Sequence, residues 1–193
     1  MISLVILTYD TRYLIHSPFF AKSETELQNA WAALEKIKES GKAKSIGVSN
    51  YLPTHLEATL KTAKIPPAIN QVEFHPYLQR GNLVPFHEEK SIKIASYGPL
   101  TPITRAKGGP LDNLLSSLSK KYAVSEGDII LRWVIQRGVV AITTTSKEER
   151  LLEYLQTLRF NLLPNEAEEI SKIGSEKHFR AFFSNKFAAD DRS

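Results

Sequence analysis

Cysteine is missing from all 193 residues, which excludes disulfides and thiolate metal sites but leaves the redox compartment open. Long apolar runs are missing as well. None approaches the roughly 20 residues that a membrane span needs. The opening Met1-Ile2-Ser3-Leu4-Val5-Ile6-Leu7 is apolar, but it has no basic flank and no small-residue cleavage site, so it reads poorly as a signal peptide. These absences point to a cytoplasmic protein with no membrane partner. Charge is not segregated by sign. The chain has 25 Lys and Arg against 21 Asp and Glu, a net charge of +4 and a pI near 9.2. The basic residues lie beside acidic ones, with no long basic block and no interleaved aromatic platform, so no nucleic-acid partner is expected. His55, His75, His87 and His178 form no ligand pair with carboxylates at metal spacing, and no metal site is expected. His75 reads as structural and the other three as surface residues. No G-x-G-x-x-G follows any strand, so the dinucleotide-binding fingerprint is absent too.

What is present is an alternation of strand-like and helix-like segments, the pattern of βαβ units around a parallel sheet. The expected strands are 12–16, 45–48, 68–74, 92–97 and 139–143. Between them the periodicity predicts a helix over about 24–40, opened by a Ser23–Glu26 capping box and closed at Gly41. Its apolar face is Leu27, Ala30, Trp31, Leu34 and Ile37. Pro53 suits the first turn of the next helix. Short helices follow near 81–90 and 111–121. Ser125 opens another, which Gly138 ends. Ser146 and Glu149 read as a capping box for a helix after the fifth strand, and a last short helix follows Asn165. No repeat and no low-complexity linker divides the chain, so residues 1–193 read as one domain with an aromatic and basic tail over 175–193. Five such units fit either an open sheet or part of a barrel.

Four stretches separate these options: Leu14-Ile15-His16-Ser17-Pro18, Gly47-Val48-Ser49-Asn50-Tyr51, Asn70-Gln71-Val72-Glu73-Phe74-His75-Pro76-Tyr77, and Leu131-Arg132-Trp133 with Gln136-Arg137-Gly138-Val139-Val140. In this order and spacing they resemble the aldo-keto reductase family, over about residues 12–174. Thr143-Thr144-Thr145-Ser146-Lys147-Glu148-Glu149-Arg150 is similar to the fungal branch acting on ketoamides, ketopantolactone and conjugated polyketones. The resemblance implies an α/β fold, a partial (β/α)₈ TIM barrel with strands four to eight and their outer helices. It also implies NADPH-dependent reduction of an aldehyde or ketone to an alcohol, with a small-molecule carbonyl substrate and NADH as the alternative cofactor. The family's catalytic Asp, Tyr and Lys would precede Arg12, so of its four catalytic residues this sequence is expected to hold His16 alone. A truncated or mis-started reading frame is expected on that ground. The alternatives are an inactive nicotinamide-nucleotide-binding fragment, or a half-barrel that self-associates through exposed sheet edges.

The resemblance also assigns roles. His16, at a strand C-terminal end, would hydrogen-bond the substrate carbonyl, for which one imidazole N–H suffices. Ser49, Asn50 and Gln71 would bind the nicotinamide carboxamide, and Tyr97, ahead of Gly98, Pro99 and Leu100, would stack on the ring. Thr144, Thr145, Ser146, Lys147 and Arg150 would hold the adenosine 2′-phosphate at a helix N-terminus, and Glu153 would meet the adenine amine. Ser49-Asn50 also fits a simple helix cap, and Tyr97 a plain core aromatic.

Overall fold

The computed structural model describes residues 12–193. The apolar opening Met1–Leu7 lies outside them. In chain order the elements are β1 (Arg12–Ile15), α1 (Glu24–Glu39), β2 (Ser45–Ser49), α2 (Pro53–Leu60), β3 (Ile69–Glu73), α3 (Leu83–Glu89), β4 (Lys93–Tyr97), α4 (Thr101–Thr104), α5 (Asp112–Tyr122), α6 (Glu126–Gln136), β5 (Val140–Ala141), α7 (Glu148–Gln156) and α8 (Pro164–Ser175). The strands form a parallel sheet ordered β1-β2-β3-β4-β5. Consecutive strands of βαβ units are commonly neighbours in the sheet, as here.

Two compact units carry these elements. The first takes the described residues up to Val72 together with Asn82–Ile94. Here Tyr13 pairs with Ile46, Leu14 with Gly47 and Ile15 with Val48, and Ser49 pairs with Gln71. Trp31, Leu34, Ile46, Val48, Tyr51 and Leu56 form its core. The Trp31 indole N–H donates to the Ile65 carbonyl at 2.9 Å. The buried Glu35 carboxylate accepts from the Lys64 and Ile65 amides at 2.7 and 2.8 Å, satisfying a loop that would otherwise bury orphan donors.

The second unit takes Glu73–Gly81 and Ala95–Ser193. Phe74 stacks on Trp133 with centroids 5.5 Å apart, and Leu111, Leu115, Ile129, Val134 and Ile170 are buried with them. The Trp133 N–H reaches the Ala167 carbonyl at 3.1 Å and Ser171 Oγ at 3.0 Å, which ties α6 to α8. Ala95 pairs with Val140 and Ser96 with Ala141.

Local signals decide most boundaries. Ser125 and Asp128 form a complete capping box on α6, Pro53 opens α2, and Gly41 and Gly138 adopt φ of 77° and 73° after α1 and α6, as expected of helix-ending glycines. Other signals act differently from the sequence reading. Ser23 Oγ accepts from the Glu26 amide, but Glu26 turns its carboxylate to the Lys22 amide rather than closing the box. At α7 the expected Ser146–Glu149 box does not form. The helix begins at Glu148, so Lys147 occupies the cap position and offers no acceptor. Thr145 Oγ1 instead accepts from the Lys147 amide at 3.1 Å. The last strand spans only Val140–Ala141, and α4 was not anticipated. His87, expected at the surface, is buried, and His55 is half-buried with its Nδ1 accepting from the Leu52 amide at the start of α2.

Gly47 marks the tightest approach in the first unit. A Cβ there would lie 2.6 Å from the Ile69 carbonyl oxygen and 2.9 Å from Leu14 Cδ2. The neighbours are a paired strand and a strand side chain, so little can yield. Gly47→Ala is therefore expected to lower stability by about 1–3 kcal/mol, measured by urea denaturation; an unchanged midpoint would contradict the close strand approach.

Candidate functional site

In the first unit the strand pairing places Ile15, Val48, Ser49 and Gln71 along one edge, and His16 follows directly. A hydrogen-bonded knot joins them. Ser49 Oγ donates to the Gln71 carbonyl at 2.6 Å, and the Asn50 amide donates to the same oxygen at 2.9 Å. The Asn50 side-chain amide donates to the His16 carbonyl at 3.0 Å and to Ser49 Oγ at 3.0 Å. Asn50 adopts φ of 60°, a left-handed conformation that Asn tolerates better than most residues, and this turns its side chain back toward β1. Ser49 and Asn50 are buried, Gln71 is half-buried and the His16 side chain is exposed. His16 lines a cavity of about 390 Å³ between β1 and α1, with Tyr13, Ile15, Phe20, Ala30, Leu34 and Ile37 among its walls. Four residues singled out from the sequence are thus brought together.

Asn70, which sequence reasoning passed over, holds this knot in place. Its Nδ2 donates to the Tyr51 carbonyl at 2.8 Å and lies 2.9 Å from His87 Nε2, while its Oδ1 accepts from the Tyr51 amide at 3.3 Å. Burial pushes His87 below its ordinary 6.5. The imidazole is thus neutral at physiological pH, with Nδ1–H donating to the Leu83 carbonyl at 2.8 Å and Nε2 accepting from Asn70. The one sequence signal was Asn70 heading the Asn-Gln-Val-Glu strand.

In the second unit Tyr97 ends β4, half-buried, with its phenol pushed up to about 12 by burial; it stays neutral at any physiological pH. Gly98 follows at φ of 63°, with Pro99 buried and Leu100 half-buried. The Phe182 ring meets Tyr97 edge-on at 5.2 Å, and Arg105 lies over the Phe182 face at 4.5 Å. The tail is fastened by Glu73, a residue the sequence reading left unassigned. Its fully buried carboxylate accepts from the Ala181 and Phe182 amides at 2.7 and 3.1 Å and from His75 Nε2 at 3.1 Å. Burial pushes His75 below 6.5, so the donor is a neutral imidazole N–H. The Thr144–Glu153 segment is exposed except at Thr145, which is half-buried. Thr144, Ser146, Lys147, Arg150 and Glu153 therefore flank an α7 N-terminus whose amides have no side-chain cap. Among the described residues no group of three or more His, Asp or Glu is placed to hold a metal ion.

Burial raises the Glu73 carboxyl pKa, but hydrogen bonds from His75, Ala181 and Phe182 outweigh it and hold the group below its ordinary 4.5. A depressed folded-state value means that the ionised form stabilises the fold fully above the unfolded value and progressively less as pH falls through the folded one. Glu73→Gln is therefore expected to cost about 1–3 kcal/mol near neutral pH, with the gap to the parent chain closing in acid. Urea denaturation of both across the carboxylate range checks this; a gap independent of pH would exclude an ionised Glu73.

Residues 8–175 match the Aldo/keto reductase family profile. The chain is 40% identical over 173 residues to the NAD/NADP-dependent indole-3-acetaldehyde reductase of Schizosaccharomyces pombe, covering 88% of this chain and 61% of that one. It is 38% identical over 186 residues to the NADPH-dependent alpha-keto amide reductase of Saccharomyces cerevisiae, covering 92% and 60%. Among solved structures, an aldo-keto reductase enzyme from a Medee basin deep-sea metagenome library superposes with a TM-score of 0.81 at 31% identity, over 93% of this chain and 65% of that one. A Bombyx mori aldo-keto reductase in complex with NADP gives 0.77 at 28%, over 86% and 58%. The chain spans about 60% of the length of the curated relatives it matches, which agrees with the expected part of a (β/α)₈ barrel. By profile, identity and fold, the chain belongs to the aldo/keto reductase family.

Proposed function

We propose that this chain binds a nicotinamide cofactor, NADPH in preference to NADH, and takes part in reducing an aldehyde or ketone to an alcohol. The observation that carries the reading is the knot at the end of β2, where Ser49, Asn50 and Gln71 converge beside His16. Hydroxyl and carboxamide side chains are the donor set that a carboxamide ligand needs, since each amide offers both a donor and an acceptor. Family membership and the reductase relatives from both yeasts support the same chemistry.

In this reading Ser49, Asn50 and Gln71 orient the carboxamide, and the neutral Tyr97 ring stacks on the nicotinamide, with Gly98, Pro99 and Leu100 shaping the turn beside it. The cofactor, when bound, supplies the hydride. His16 donates an imidazole N–H to the substrate carbonyl and holds it in position. Thr144, Thr145, Ser146 and Lys147, with Arg150, receive the 2′-phosphate at the open N-terminus of α7, where free amides and the helix dipole favour an anion. Glu153 meets the adenine amine. Of the groups assigned to catalysis this sequence offers His16, and a proton donor contributes about 10²–10⁴-fold to such reactions. Turnover near background is therefore expected from this chain with a carbonyl substrate.

Arg150→Ala tests the cofactor assignment. Loss of one charge-assisted guanidinium contact is expected to weaken NADPH about tenfold and to leave NADH little changed, read by cofactor fluorescence on titration. Equal losses for both nucleotides would remove Arg150 from the 2′-phosphate.

Self-association is a second reading, favoured by one observation. Leu151, Leu152, Leu155 and Leu158 on and after α7 are each more than half exposed, whereas apolar side chains of a packed helix face a neighbour. The purified chain is expected to form concentration-dependent oligomers in sedimentation, and Leu152→Glu with Leu155→Glu to shift them toward monomer. A parent chain that sediments as a monomer at all concentrations would exclude this reading.

A further inference from the structure

A second pocket in the second unit has a chemistry that no cofactor role uses. The turn after β3, the end of α6, the end of α8 and the tail enclose a cavity of about 270 Å³, lined by Arg80, Arg137, His178 and Arg192 among others, with no Asp or Glu in its wall. Arg80 is 4% exposed. Its Nε donates to the Glu73 carbonyl at 2.9 Å and its Nη1 to an oxygen of the terminal Ser193 at 2.6 Å. Arg192 donates to the Ser175 carbonyl at 3.1 Å, which covers the electronegative end of α8 that would otherwise face an anion. Arg137 is exposed beside the Trp133 ring. Both His178 ring nitrogens are shielded from solvent and make no hydrogen bond among the described residues.

The acids nearby act mainly on Arg80, and Arg137 and Arg192 form no ion pair among the described residues. The Glu73 carboxylate is already occupied by His75 and two tail amides. Asp191 lies 3.6 Å from Arg180 and accepts from Ser193, and it faces Arg80 as well. Burial, and after it Arg180, push the Arg80 guanidinium down to about 10 while Tyr97, Glu73 and Asp191 act the other way, and at that value it remains charged. Arg137 and Arg192 thus stand at this concavity with the two unsatisfied nitrogens of His178, donors that an anion would meet.

We propose that this pocket binds a phosphoryl group, with Arg80, Arg137 and Arg192 as guanidinium donors and His178 contributing its N–H. A phosphate dianion matches the wall better than a carboxylate, because it carries more charge and more acceptor oxygens for forked donors. The cavity also exceeds a bare ion, since a water takes roughly 30 Å³; a small phosphomonoester fits the space. Free phosphate and a phosphomonoester share the phosphoryl group and differ in the carbon skeleton attached to it.

The test uses the full chain with inorganic phosphate and, separately, glycerol phosphate, followed by calorimetry and by the His178 imidazole resonances. Saturable binding of at least one probe is expected, with His178 shifting in step. Arg137 and Arg192 are exposed, so the double variant Arg137→Ala with Arg192→Ala is expected to fold, as circular dichroism would show, and to lose at least tenfold in affinity. Arg150→Ala is expected to keep both the affinity and the His178 shift, which separates this pocket from the α7 site and makes the result independent of the cofactor reading. Tighter binding of glycerol phosphate than of phosphate would identify a phosphomonoester, and equal binding the free ion. Absence of saturable binding, retained affinity in the double variant, or an equal loss in Arg150→Ala would each overturn the proposal.

Discussion

The carboxamide of Asn70 is the interaction on which the candidate site of the first unit depends. It spans both polar groups of Tyr51 and the ring of His87, so one buried side chain fixes the loop after β2 and the helix α3 against β3. Each partner is buried, and an unpaired amide there would bear the full cost of desolvation, about 1–3 kcal/mol. Ser49 and Asn50 sit just before Tyr51, and their bonds to the Gln71 carbonyl inherit that rigidity. A site built from short polar side chains needs such support, because hydroxyl and amide geometry is lost with shifts well below an ångström.

Glu73 plays the corresponding role in the second unit by another chemistry. An ionised carboxylate, buried completely, is tolerable only when hydrogen bonds replace its hydration shell. Two consecutive tail amides and a neutral histidine do this. Because the tail contributes main-chain groups, the contact fixes its path irrespective of its side chains, and Phe182 is set against Tyr97 as a result. The aromatic character of the tail then follows from its position: an edge-on ring beside Tyr97, with Arg105 over its face, is a favourable quadrupole arrangement.

The strand order, the fold class and most helix starts were legible because they rest on local rules: period, caps, and Gly or Pro at defined positions. The knot of Ser49, Asn50 and Gln71 beside His16 was legible through short motifs whose spacing matches strand ends. What was not legible depends on contacts distant in sequence. Asn70 and Glu73 looked like ordinary polar residues of a strand, since their roles require His87, Ala181 and Phe182 to arrive from elsewhere. His87 reads as a surface residue for the same reason; only packing against β3 buries it. The Ser146–Glu149 box failed on a subtler point. The helix start moved by one residue, and a cap has no tolerance for that, because the acceptor must stand three residues before the amide it serves.

Exposed apolar surface among the described residues gathers at two places. A parallel sheet is stable when both faces and both edges are managed, and in the strand order β1 and β5 are the terminal members. Beside β1, Tyr13, Ile15 and Phe20 line an open apolar cavity. Beyond β5, the whole of α7 lacks a buried residue although four leucines stand on or just after it. Leucines spaced at 151, 152, 155 and 158 are a helical face shaped for burial, not a solvated surface. Exposed apolar area of this kind is stabilised by covering it, at roughly 25 cal/mol per Å². The same helix presents uncapped amides at its first turn, so an anion bound there would order the segment from one end and a covering partner from the other. If, as proposed, the nucleotide binds at the start of α7 and the chain associates through its leucines, both act on one element, and each is expected to strengthen the other.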